Sequence, residues 1–162
     1  MKAYAHSPAA LATEELTESS VQEHAALHYH EQSSAVLGAI VLSIILVAGL
    51  GMLIRRKMAP RGTVTLVLTA LVASIAFMRE GKELVPAAIA AGILGDIMLA
   101  YIPRTQWWMR AWCFVLPFLY YTFVVITLNI TADFWWSIHM QAGLPVITGF
   151  AGLLTSLLLF RG

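Results

Sequence analysis

The stretch "LVPAAIAAGILGDIMLAYI", Leu84–Ile102, is apolar from end to end except for one charged residue, Asp96. An apolar run of about 18 or more residues matches a helix crossing roughly 30 Å of hydrocarbon. A strand of a membrane barrel would instead alternate apolar and polar positions over about ten residues. Ala88, Gly92 and Asp96 recur every fourth residue, with Ala91 and Gly95 beside them. Small residues on one helix face let a second helix approach closely. Asp96 costs on the order of 3 kcal/mol inside a bilayer even on a lenient scale, so it is expected to face protein or water. The stripe therefore predicts a membrane helix that turns its carboxylate into a bundle. A Ser or Thr hydroxyl, Tyr101 or Arg104 would satisfy it there.

Four further runs resemble this one. They are "AVLGAIVLSIILVAGLGMLI" (Ala35–Ile54), "TVTLVLTALVASIAFM" (Thr63–Met78), "AWCFVLPFLYYTFVVITL" (Ala111–Leu128) and "WSIHMQAGLPVITGFAGLLTSLLLF" (Trp136–Phe160). The second is short, about 24 Å long at 1.5 Å per residue. Flanking Arg61 and Arg79 can snorkel to make up the difference. Composition agrees: 59% of the 162 residues are hydrophobic, only 12% are charged, and the mean hydropathy is +0.77. Those values exclude an ordinary soluble domain. The expected fold is all-α and polytopic: five transmembrane helices over residues 35–162, with an N-terminal tail, residues 1–34, expected to be helical.

Orientation follows from Lys and Arg near the span ends. Arg55, Arg56, Lys57, Arg61, Arg104, Arg110 and Arg161 fall on one side; Lys2, Arg79 and Lys82 fall on the other. The richer side is expected to be cytoplasmic in a cell membrane, placing the tail outside and the C-terminus inside. Trp107, Trp108, Trp135 and Trp136 sit at span ends, where interfacial aromatics belong. The first residues lack the apolar core of a signal peptide. The first span is then expected to carry the tail across, unless a longer precursor or a partner supplies the targeting.

The tail reads "EHAALHYHEQSS" from Glu23 to Ser34. On a helix, His24, His28 and Glu31 fall within about 60° of one another, a two-imidazole, one-carboxylate face suited to Zn(II), Cu(II) or Ni(II). A second outer cluster would draw on His30, Glu80, Glu83, Asp133 and His139. His139 lies beside Met140, and imidazole with thioether is a set copper(I) accepts. The competing reading is a solvated, pH-responsive tail and a structural His139.

The lone Cys113 makes no internal disulfide, and no Cys-x-x-Cys motif occurs. There is no phosphate-binding glycine loop, nucleophile elbow or basic run for nucleic acid. A sequon, "NIT" at Asn129–Thr131, hugs the membrane. The leading expectation is a non-catalytic membrane subunit or scaffold with an outer-face metal site, either self-associating or joined to other membrane subunits. The alternatives are a proton or cation conductor using Asp96 and an anchor subunit of an oxidoreductase.

The stretches "RGTVTLVLTAL", "LVPAAIAAGILGDIML" and "FWWSIHMQAGLPVITGFAGLLTSLL" resemble the C-terminal half of a family of large, uncharacterised bacterial multi-spanning membrane proteins. "HEQSSAVLGAI" is similar to the approach to that region, so the resemblance covers most of residues 31–162. It implies the helical membrane fold and singles out Asp96 and His139 as matching polar positions. It brings no reaction. The spans that precede this region in the family are missing here, so an independent activity is not expected.

Overall fold

The computed structural model describes residues 33–54, 60–79, 82, 84–103, 105–131 and 138–160. All regular structure among them is helical: α1 (Ser33–Ile54), α2 (Thr63–Arg79), α3 (Leu84–Tyr101), α4 (Gln106–Thr131) and α5 (Ile138–Leu159). The contacts divide the chain into Met1–Gly38 and Ala39–Gly162. Of the first unit, only the opening turns of α1 belong to the described residues.

Four helices, α1, α3, α4 and α5, are long and apolar enough to cross a membrane, and α2 is a shorter apolar helix. The all-α, membrane-type architecture expected from the runs is therefore present. Helix α4 extends beyond its run at both ends, taking in Trp107 and Trp108 at the start and Asn129–Thr131 at the finish. Both indoles are exposed.

Neighbouring helices run antiparallel, and the contacts give the register. The start of α2 meets the end of α3, where Thr65 approaches Gly92. The end of α3 meets the start of α4, where the Trp112 indole N–H donates to the Gly95 carbonyl at 3.1 Å. Farther round, Arg110 at the start of α4 donates to the Phe160 carbonyl just past α5, at 3.1 Å. Gly51, near the end of α1, lies against Leu159. One face of the bundle therefore gathers the ends of α1, α3 and α5 with the starts of α2 and α4. Toward the other face, the Tyr121 hydroxyl of α4 donates to the Ala39 carbonyl of α1 at 3.1 Å.

The buried residues explain these pairings. In α2, Val64, Leu68, Val72 and Ala76 are buried at every fourth position, one stripe of a helix otherwise open to its surroundings. In α3 the buried set is Ala87, Ala88, Ala91, Gly92 and Gly95, all small. Large apolar residues face outward instead, including Leu66, Phe77, Ile93, Ile97 and Leu158. Such a distribution suits a lipid solvent, which gives apolar side chains no reason to hide and leaves close packing to small ones.

Among the described residues, Trp112 is the largest fully buried side chain. Trp112→Phe keeps most of the ring volume but removes the donor to Gly95. It is expected to cost about 1 kcal/mol in a detergent unfolding titration, the usual net value of such a bond. A loss near zero would mean that the indole acts only by its bulk.

Candidate functional site

Helix α2 begins at a turn, "PRGT". Gly62 has a positive φ of 88°, a conformation that favours glycine. The turn closes with the Thr63 N–H donating to the Pro60 carbonyl at 3.2 Å, and the Thr63 hydroxyl donates to the same oxygen at 2.7 Å. Each helix start leaves four backbone N–H groups without an intrahelical acceptor. Of those in α2, Thr63 is met by Pro60, and Leu66 donates to the Gly62 carbonyl at 3.0 Å. Val64 and Thr65 remain.

Asp96 of α3 takes both. Val64 N–H donates to its Oδ1 at 3.2 Å, and Thr65 N–H donates to Oδ2 at 2.9 Å. The Thr65 hydroxyl adds a third bond to Oδ2 at 2.6 Å. This is the arrangement of an N-cap, in which a side-chain oxygen accepts from the first turn, but here the acceptor comes from another helix. The carboxylate also sits at the positive end of the α2 dipole. Three donors and a favourable field thus compensate the one acid in the described residues.

Glycine makes the reach possible. A Cβ built on Gly92 would lie 2.5 Å from the Thr65 Cα, so any side chain there would drive α2 away. A Cβ on Gly95 would lie 2.7 Å from the Leu116 side chain and 2.9 Å from that of Val64. The stripe expected from the sequence is therefore the α2–α3 contact, and Asp96 does turn into the bundle. A threonine hydroxyl was among its expected partners. Tyr101 is not one, being 86% exposed; the side chain of Arg104 lies outside the described residues. The two backbone donors were not anticipated.

Beyond Thr65 the bonded set stops. The Thr69 hydroxyl, one turn further along α2, is buried and makes no hydrogen bond. Among the described residues, no group of three His, Cys, Asp or Glu side chains could hold a metal ion. His24, His28, His30, Glu31, Glu80, Glu83 and Asp133 all lie outside those residues. His139 is described, and it is exposed at the first turn of α5. Val146 and Phe150, which follow it along the same face of α5, are 41% and 53% exposed, so that face points away from the core. The sequon is helical throughout. The Asn129 side-chain amide donates to the Val125 carbonyl at 2.8 Å and to Gln141 Oε1 at 3.1 Å, which ties the end of α4 to the start of α5.

A second close approach was missed. Pro117 inside α4 has no N–H, which frees the carbonyl of Cys113 four residues earlier. Gly152 of α5 lies over that carbonyl: a Cβ on it would meet the Cys113 oxygen and come within 3.0 Å of Pro117 Cγ. Proline in an apolar run was the available signal, since it marks a carbonyl in need of a neighbour.

Fold and site together define the class: among the described residues every element is helical, four helices are long and apolar enough to cross a membrane, and an acid on one of them joins it to a neighbouring helix. No family model, curated protein or solved structure matches the chain.

Proposed function

We propose that this protein is a five-span membrane subunit or scaffold without catalysis of its own. The observation that carries the reading is the complete use of Asp96 by the start of α2. A proton or cation relay needs an ionisable group free to exchange its partner, and more than one along a path. Asp96 is instead occupied by three donors, and it has no second acid beside it among the described residues. In this reading α2 is the fifth span, shorter than its neighbours. The charge distribution puts the α2 start and the C-terminus at the cytoplasm, with the N-terminal tail outside. His24, His28 and Glu31 on that tail supply three ligands for Zn(II) or Cu(II), and a further ligand from a partner or water completes the shell.

Reconstitution into liposomes tests the central claim. Proton and monovalent cation flux is expected to equal that of empty liposomes, for the wild type and for Asp96→Asn alike. Flux present in the wild type and abolished in Asp96→Asn would replace the scaffold reading with conduction.

A further inference from the structure

We propose that α2 and α3 enter the bilayer as a single hairpin, with Asp96 as its latch. The proposal rests on the reading that α2 crosses the membrane. Alone, neither helix is a comfortable span. Helix α2 satisfies Thr63 and Leu66 through its own turn, but Val64 and Thr65 find their acceptor only on α3. In hydrocarbon an unsatisfied backbone group is strongly unfavourable. Helix α3 alone would expose a carboxylate to hydrocarbon, which a membrane helix tolerates poorly. Docking removes both costs at once, because the donors one helix lacks acceptors for are those the other's acid requires.

The geometry allows docking before the rest of the bundle arrives. Four residues, 80–83, join the two helices, a length ordinary for antiparallel helix pairs. The contact at Gly92 needs only α2 and α3. Helix α4 then adds Trp112 to the Gly95 carbonyl, on the residue next to the latch.

A hairpin crosses twice, so leaving it out preserves the direction of every later helix. Losing one helix alone would invert them. Single-cysteine reporters in the full chain read that difference: Pro60→Cys before α2, Lys82→Cys between α2 and α3, and Ile130→Cys at the end of α4. Newly synthesised chains in sealed vesicles are labelled with a membrane-impermeant maleimide, so the readout does not depend on a folded product. Native Cys113 is replaced in every reporter (Cys113→Ala), so that each chain carries a single cysteine.

In the wild type, Lys82→Cys and Ile130→Cys are expected on the side opposite Pro60→Cys. Should Lys82→Cys share a side with Pro60→Cys in the wild type, the five-span reading fails on its own account. The test variant is Gly92→Leu, which forces the pair apart and leaves Asp96 in place. Lys82→Cys is expected to join the side of Pro60→Cys, its original labelling falling by at least about tenfold, since even one unsatisfied backbone group in hydrocarbon is worth more than that. Ile130→Cys is expected to stay where it was. Ala100→Leu, which adds similar bulk at an exposed position of α3, should behave as wild type. Unmoved Lys82→Cys in Gly92→Leu would show that the helices insert without the latch. Movement of Ile130→Cys would show that they insert singly. Either result overturns the proposal.

Discussion

Asp96→Ala is expected to destabilise the bundle by about 3 kcal/mol, because two buried N–H groups and a hydroxyl lose their acceptor together. The desolvation that the carboxylate itself suffers offsets part of the loss, which keeps the figure below the sum of three separate bonds. Asp96→Asn should cost about 1 kcal/mol, since the amide retains one oxygen that can accept from the α2 start. Thr65→Val removes only the hydroxyl bond and should also cost about 1 kcal/mol. Unfolding in mixed detergent micelles, followed by helix content, ranks the three variants. The order matters more than the values. A relay acid would tolerate alanine structurally while losing transport; a latch would not. Wild-type stability in Asp96→Ala would mean that Asp96 has no structural role.

Gly152→Ala is expected to cost about 3 kcal/mol, the upper end of the usual penalty for adding a methyl to a packed contact. The added carbon meets the Cys113 carbonyl and Pro117, both of which are parts of the backbone framework of α4 and yield poorly. Gly143, nine residues earlier in the same helix, has nothing within 4 Å of a built Cβ. Gly143→Ala should therefore be neutral or raise stability by up to about 1 kcal/mol, the intrinsic helix preference of alanine over glycine. The same unfolding measurement compares the two. Equal effects would mean that the α4–α5 contact at Gly152 does not limit stability.

The two predictions differ in how far the sequence foreshadows them. Ala88, Gly92 and Asp96 stand at one helical spacing, and that spacing already orients the acid toward a neighbour. The glycine at 152 and the proline at 117 are also visible in the sequence, but nothing local relates residues thirty-five positions apart. Only the antiparallel register of α4 and α5 brings them together.

By itself the sequence determined the solvent and the secondary structure. Long apolar runs admit few outcomes, because backbone groups in hydrocarbon must be hydrogen-bonded, which leaves helices and closed barrels, and the runs do not alternate as barrel strands would. Hence four helices of spanning length, a fifth shorter one, and starts and ends close to those read from the runs. The sequence also determined that Asp96 must have partners. It offered a Ser or Thr hydroxyl as one candidate but not the other two donors, because those are backbone N–H groups, which every residue but proline carries and no residue type advertises. The tertiary structure decided that the partners are Val64 and Thr65, at a helix start that Gly92 lets come close enough to receive the carboxylate. It likewise turned His139 outward, since a position on the first turn of a helix takes its surroundings from whatever packs beside it and not from its neighbours in the chain.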